Sequence, residues 1–350
     1  MIHGVPYHAF SGTGWPLGHQ HGVALGPRIR AFIADDLQRL NQILARPTSI
    51  GELGPTLRAY RAAIARQLPG AIEEIEGLAV GAEISFEQAL LLQLRREIVG
   101  YSRITRGDCT TFARHAPTEP VVAQTVDLNG NLETEAYVVR VRLAGRDGRE
   151  LIMLTFTGLL GYLGMNSHGL AIGLNLVVGG TWRPGIPGYL AIRHLLETAT
   201  SLEDCVERLG QLDLASSRSL TICDPRGAAM VEILETERRW HIGTELVHTN
   251  HFLDPELAGR DELNVFARNG SLARRSACRS ALAELAAGAP LPACFAILDR
   301  APICIPPDGN PRREATVARV VMKPRAGELA VKLGAKPEAP DHVFRMGASA

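Results

Sequence analysis

The feature that most constrains this chain is a change of hydrophobic period at GDCTTFAR, residues 107 to 114. Upstream, from about Gly22 to Val99, apolar residues recur at threes and fours. VALGPRIRAFIADDLQRLNQIL and TLRAYRAAIARQL, the latter ending before Pro69, read as amphipathic helices. Ser85 with Gln88 forms a capping box that opens SFEQALLLQLRREIV. Downstream the apolar runs are short, β-branched and broken by turn residues, as strands of an antiparallel sheet should be. TFARHA, PVVAQTVDL, AYVVRVRLAG and ELIMLTFTGL are such runs, with a hairpin turn at GRDGRE, residues 145 to 150. GYLGMNSHGLAIGLNLVVGG adds a strand on each side of NSHG.

Helices return at YLAIRHLLETA and at LEDCVERLGQL, the latter capped by Ser201 with Asp204. Strands follow in SLTICDPRGAAMVEIL, RRWHIG and ELVHTNHF. SLARRSACRSALAELAAG reads as a helix stopped by Gly288, and TVARVVMKPRAGELAVKLG as a closing hairpin. Helices, strands, helices and strands in that order, without a linker or repeat, predict one layered domain with helices packed on sheets.

Composition narrows the partners. The 37 basic and 37 acidic residues cancel and are interspersed, so no long-range field draws in nucleic acid or an anionic membrane, and the expected partner is small or neutral. The six cysteines form no CxxC pair and no zinc-type spacing, which argues against a disulfide framework or structural metal and for a reducing compartment. MIHGVPYHAF lacks the pattern of a signal peptide, and no window nears the roughly 18 apolar residues a bilayer span needs. A cytoplasmic location is the expectation. GTGWPLG, residues 12 to 18, fits neither dinucleotide nor phosphate-loop spacing and reads as a turn, with His19 and His21 as surface or packing residues. No cofactor and no metal is expected.

Cys109 stands at the change of period and has three readings. It is a small buried hydrophobe, or it pairs with a distant histidine such as His168, His194, His241, His248 or His251 in a papain-like site. In the third reading the bond from Asp108 to Cys109 is cut. The new α-amine, which titrates near about 7.7 to 8.0, then takes the proton of the thiol on its own residue. The junction of the helical and strand regions is where a propiece would separate.

GDCTTFAR, AQTVDLNGN, GMNSHGLAIGLNLV and VHTNHF, in that order, together resemble the isopenicillin-N acyltransferase-like family of amino-terminal-nucleophile (Ntn) hydrolases. The glycine-rich GTGWPLGHQHG and the closing TVARVVM extend the likeness over most of the chain. The resemblance implies a four-layer αββα sandwich of two antiparallel sheets between helical layers. It implies residues 1–108 as a propiece or small subunit and 109–350 as the catalytic large subunit. Cys109 would be the nucleophile, Asp127 the acid that holds its amino group, and Asn250 an oxyanion donor. The strand of Asn175 would provide a backbone donor, and Thr111 a supporting hydroxyl. The implied substrate is a small acyl amide or acyl thioester, hydrolysed or transferred, with the cleaved propiece retained as partner. Each residue also has an ordinary reading: Asp127 as a turn former, Asn175 as a polar strand residue, Asn250 as part of a loop. The sequence departs from the family pattern at Asp108, preceded by Gly107, and at Thr125 and Leu128 in the acid block. Arg274, Arg312 and Arg313 are open choices for a substrate-side arginine. The rival reading is an unprocessed, non-catalytic binding or scaffold protein that retains the fold.

Overall fold

The computed structural model describes residues 4–100, 109–116, 119–145 and 147–347. A short strand, β1 (Tyr7–Ser11), leads into helices α1 (Gly14–Ala34), α2 (Leu40–Ile43), α3 (Ile50–Gln67), α4 (Pro69–Ala82) and α5 (Phe86–Val99). Beyond Cys109 come β2 (Thr111–Arg114), β3 (Val121–Leu128), β4 (Ala136–Arg142), β5 (Glu150–Phe156), β6 (Leu163–Asn166) and β7 (Ala171–Leu176). Helices α6 (Gly188–Thr198) and α7 (Leu202–Gln211) precede β8 (Arg218–Cys223), β9 (Ala228–Leu234), β10 (Glu237–Ile242) and β11 (Glu245–His248). The chain closes with α8 (Pro255–Ala258), α9 (Val265–Ala283), α10 (Leu291–Leu298), β12 (Ala315–Lys323), β13 (Glu328–Leu333) and β14 (His342–Arg345).

The helical layer follows local signals. The Ser49 hydroxyl accepts from Glu52 N to cap α3, Pro69 takes the first turn of α4, and Ser85 and Gln88 cap α5 reciprocally. Glycines set how closely α1 and α4 cross. A Cβ on Gly22 would lie 2.5 Å from Leu78 O and 2.7 Å from Ala82 N, and one on Gly18 would collide with the Glu74 carbonyl. Gly77 and Gly81 meet the α1 backbone at Trp15 and His19 in the same way. GTGWPLG is therefore the start of α1, not a turn, and its glycines let two backbones touch. His21, on this helix, hydrogen-bonds Tyr137 at 2.7 Å, and burial holds its pKa down at about 3, while His19 stacks on Trp15.

Among the described residues the strands form two sheets. One has eight, in the order β1-β4-β5-β6-β7-β8-β9-β10, and the other six, in the order β11-β2-β3-β12-β13-β14. β1 pairs with β4 in parallel, so the segment before Cys109 contributes a strand as well as helices. The sheets face one another through β2 and β3 against β7 and β8. Gln124 fastens them: its Nε2 donates to Leu174 O at 2.7 Å and its Oε1 accepts from Leu174 N at 2.8 Å. A Cβ on Gly173 would come within 2.9 Å of that Gln124 oxygen and 3.0 Å of the Thr111 methyl, so the sheets approach closely where glycine stands.

On the outer face of the six-stranded sheet, Phe112, Val121, Ala123 and Val321 pack against Cys278, Leu282, Phe295 and Leu298 of α9 and α10. The eight-stranded sheet is covered by α1, α4, α5 and α6 in one continuous apolar core. The result is an αββα sandwich. Other features also differ from the sequence reading: the helix read over VALGPRIRAFIADDLQRLNQIL is broken between Ala34 and Leu40. α9 begins at Val265, where the Asn264 side chain accepts from Phe266 N and Ala267 N, and ends before Gly288. α10 is short and opens on Pro290, and β1 and β14 are edge strands whose alternation is too brief to stand out. No helix among the described residues is long and apolar enough to cross a membrane.

Candidate active site

Cys109 lies just before β2 and is 1% exposed. Antiparallel pairing sets Thr111 opposite Gln124, so the chain leading into β2 runs beside Thr125 and Asp127 of β3. The Cys109 Sγ accepts from Asp127 N at 3.4 Å and stands 3.9 Å from the Tyr162 hydroxyl. Its carbonyl accepts from Asn175 Nδ2 at 2.8 Å and from an Arg274 guanidinium nitrogen at 3.1 Å. Two side chains from different elements thus fix the plane of the Cys109 peptide.

The Asp127 carboxylate is buried between two hydroxyls. Thr316 Oγ1 donates to its Oδ1 at 2.6 Å and Thr125 Oγ1 to its Oδ2 at 3.1 Å. Thr125 Oγ1 also accepts from Thr110 N at 3.0 Å, which ties the carboxylate to the residue after the cysteine. The family favours asparagine where Thr125 stands; here the hydroxyl bridges backbone and acid. Thr316 lies opposite Asp127 on β12, where the register shifts between Thr316 and Ala318, and Ile305 N donates to its hydroxyl at 2.8 Å.

Asn250 follows β11. Its backbone N donates to Ser271 Oγ at 2.8 Å, its Nδ2 to Leu176 O at 2.9 Å, and its Oδ1 accepts from Arg274 at 2.7 Å. Ser271 and Arg274 sit three apart on α9, so one helix face positions both Asn250 and the Cys109 carbonyl. Arg274 also reaches Thr110 Oγ1 at 3.1 Å. Beneath this loop, the buried Glu232 accepts from His248 Nε2 at 2.8 Å and from the N–H groups of Leu253 and Asp254. Burial alone would raise the Glu232 carboxyl, but the hydrogen bond and charge of His248 and those two N–H groups outweigh it and hold it at about 2. His251 hydrogen-bonds Ser271 Oγ at 2.8 Å. Burial, then the charges of His248, Arg275 and Arg268, lowers it to about 4.

The structure therefore gathers Cys109, Asp127, Asn175 and Asn250 into one buried cluster, with Asn175 engaged through its side chain. Thr111 lies on β2 facing the other sheet, and its hydroxyl has no hydrogen-bond partner among the described residues. Of the three arginines, Arg274 is at the cluster. Arg313 pairs with Asp308 and Arg312 reaches Gln42 O, both away from it. His248 has both ring nitrogens engaged, on Thr249 O and Glu232. Asp108 and the bond to Cys109 lie outside the described residues.

Sequence reasoning missed Tyr162 and Thr316, although GYLGMNSHG and TVARVVM contain them. Nothing in either block marks a tyrosine or a threonine as facing a cysteine more than fifty residues away in the chain. A void of about 10 Å³ adjoins the thiol, walled by Arg96, Tyr162, Leu174, Leu176, Tyr189 and Arg218. Tyr162 stacks on Tyr189 at 4.7 Å and meets Phe156 edge-on at 5.2 Å.

The αββα sandwich is the architecture of the amino-terminal-nucleophile hydrolases. It matches a variant of conjugated bile acid hydrolase from Clostridium perfringens with a TM-score of 0.50 at 14% identity, over 69% of this chain and 94% of that one. Penicillin V acylase from Agrobacterium tumefaciens aligns with a TM-score of 0.48 at 15% identity, over 68% of this chain and 86% of that one. In sequence, the model of the family described as acyl-coenzyme A:6-aminopenicillanic acid acyl-transferase matches residues 115–281, which include Asp127, Asn175, Asn250 and Arg274. The 40 kDa form of acyl-coenzyme A:6-aminopenicillanic-acid-acyltransferase from Emericella nidulans is 27% identical over 257 residues, 72% of this chain and 71% of that protein. Over these residues the chain is similar to the acyl-coenzyme A:6-aminopenicillanic acid acyl-transferase family, and it is an enzyme of the acyltransferase or amidase kind.

Proposed function

We propose that this protein is a self-processing cysteine amidohydrolase or acyltransferase in which Cys109 forms an acyl-enzyme with a small amide or thioester. The observation that carries the reading is the grouping of the Cys109 thiol, the Asp127 carboxylate and Asn250, joined through Thr125 and Arg274. In processing, Cys109 Sγ attacks the Asp108 carbonyl and the peptide becomes a thioester. Water then cleaves that thioester, leaving an Asp108 carboxyl and a free Cys109 α-amine. The subunits would be residues 1–108 and 109–350, held together by β1 on β4 and by the shared apolar core.

In turnover the α-amine takes the thiol proton, with Asp127 stabilising the resulting ammonium. The thiolate adds to the acyl carbonyl, and the oxyanion is held by Asn250 and a backbone N–H. Collapse expels the leaving amine or thiol, which takes the proton back from the ammonium, and leaves a thioester on Cys109. Water or an acceptor amine then takes the acyl group and restores the thiol.

Two observations test this. Intact mass of the purified protein should show two chains of 108 and 242 residues, counted from the proposed cut. Cys109→Ala should remain one chain and turn over none of the acyl amides or thioesters that the wild type cleaves. A wild-type chain that stays whole and inert supports the scaffold reading instead, and a whole but active chain supports a histidine-dependent one.

A further inference from the structure

The reaction steps above leave Glu232 unused, although it lies under the loop that carries Asn250. Glu232 is on β9 of the eight-stranded sheet, whereas the loop leaves β11 of the six-stranded one. β11 is four residues long and among the described residues pairs with β2 alone, so the ladder ends at His248, two residues before Asn250. Beyond it the loop is held by side chains. On one side these come from α9, where Ser271 accepts from Asn250 N and Arg274 donates to Asn250 Oδ1. On the other side stands Glu232, fully buried.

The Glu232 carboxylate grips the loop at both ends. Its Oε1 accepts from His248 Nε2 at 2.8 Å and from Leu253 N at 2.6 Å. Its Oε2 accepts from Asp254 N at 2.8 Å and lies 3.4 Å from His241 Nε2. A carboxylate offers about four lone-pair sites, so these donors fill it. Because His248 precedes Asn250 and Leu253 follows it, one carboxylate closes the loop into a ring with the asparagine inside.

His248 completes the clamp. Its Nε2 faces the ionised Glu232 and its Nδ1 donates to Thr249 O at 2.8 Å. Both partners are acceptors only, so both ring nitrogens donate, and neither keeps a lone pair to take a proton from Cys109. The peptide between Thr249 and Asn250 is thus pinned twice, at its carbonyl by His248 and at its N–H by Ser271. We propose that Glu232, acting through His248, is a positioning residue for Asn250, fixing from the eight-stranded sheet the peptide that Ser271 fixes from α9. The inference rests on the acyl-enzyme reading above, in which Asn250 holds the oxyanion. That oxyanion exists only during reaction, so a displaced Asn250 lowers kcat and leaves KM nearly unchanged.

Glu232→Gln keeps the shape of the side chain but turns an amide NH₂ towards N–H donors. Displacing a reacting group by about 1 Å costs about a hundredfold, so kcat should fall about ten- to a hundredfold with KM within about threefold of wild type, and Glu232→Asp should recover part of the rate. In an Asn250→Ala background, Glu232→Gln should cost less than about twofold more, because the donor it positions is already gone. His248→Gln is expected to follow the same pattern and carries the test should the Glu232 variants not fold. A loss confined to KM, an unchanged kcat in folded variants, or a full further loss in the Asn250→Ala background would overturn the proposal.

Proton–nitrogen NMR of Cys109→Ala separates the two readings, because it needs no turnover. His248 should give two ring N–H signals, identified by their loss in His248→Gln. The Asn250 side-chain amide, identified by its loss in Asn250→Ala, should shift in Glu232→Gln. Both results together support the clamp even if no acyl amide or thioester is cleaved, an outcome that sinks the acyl-enzyme alone. Acylation of Cys109 at the wild-type rate in Glu232→Gln, or an Asn250 amide that does not move, sinks the clamp alone.

Discussion

Replacing Arg274 by methionine tests how the cluster is held. The guanidinium is 2% exposed and donates at 3.1 Å to Cys109 O, 3.1 Å to Thr110 Oγ1 and 2.7 Å to Asn250 Oδ1. Hydrogen bonds from a charged donor contribute about 1.5–3 kcal/mol each, so three lost bonds could exceed 4 kcal/mol. Methionine also relieves the desolvation of a buried charge, which commonly offsets much of such a loss. Stability is therefore expected to fall by only about 1–3 kcal/mol, read as the midpoint of a urea melt.

Activity should fall further. Arg274 on Oδ1 and Leu176 O on Nδ2 together fix which end of the Asn250 amide is the donor; without Arg274 only the Leu176 bond holds that orientation. Losing an oxyanion donor outright costs about a hundred- to a thousandfold, so kcat/KM of Arg274→Met should drop by roughly ten- to a thousandfold. The fall should lie mainly in kcat, with Arg274→Lys intermediate. A folded Arg274→Met protein within about twofold of wild-type kcat/KM would refute the argument that this guanidinium sets Asn250.

Other expectations follow from the same geometry. Gly22→Ala places a Cβ 2.5 Å from Leu78 O, a backbone atom that moves only if the helices part, so it should destabilise by about 2–3 kcal/mol. Gly70→Ala, with nothing within 4 Å, should be neutral or slightly stabilising by thermal melt. Thr316→Val keeps the shape but removes the hydroxyl donated to Asp127 and accepting from Ile305 N. It should lower stability by roughly 2 kcal/mol and slow turnover. The HTNHF loop should be acid-sensitive: His251 is held near 4 in the folded chain, below its value of 6.5 when unfolded, so the unfolded state binds the extra proton and stability falls as pH drops from 6.5 towards 4. Glu232, held at about 2, contributes stability above its unfolded value of 4.5 and loses it between 4.5 and 2. A pH series of urea midpoints should show the first slope vanish in His251→Gln.

The layered architecture was legible because period is a local property: the switch at Cys109, the Ser85–Gln88 box and the Ser201 cap all lie where residue spacing places them. The crossing of α1 and α4 was not, because glycine reads as a turn unless the opposing backbone is known. The start of α9 was set too late, since Asn264 caps a first turn whose Val265 and Phe266 are exposed and carry no inward stripe. In the cluster, Asp127 and Asn250 stood out by their blocks, whereas Thr316 reaches Asp127 only through the long-range pairing of β12 with β3, and Tyr162, just before β6 of the other sheet, reaches Cys109 only when the two sheets pack. Arg274 was one of three indistinguishable arginines until the helix carrying it was placed against Asn250.

The central claim is that a freed Cys109 carries the acyl group. Acid-quenched intact mass spectrometry during turnover of an acyl anilide tests it most directly. The account predicts that the chain beginning at Cys109 gains the mass of the acyl group, that peptide mapping places it on that residue as a hydroxylamine-labile thioester, and that Asn250→Ala slows its appearance. An acyl adduct on any other residue, or turnover by a chain still joined at Asp108, would contradict it.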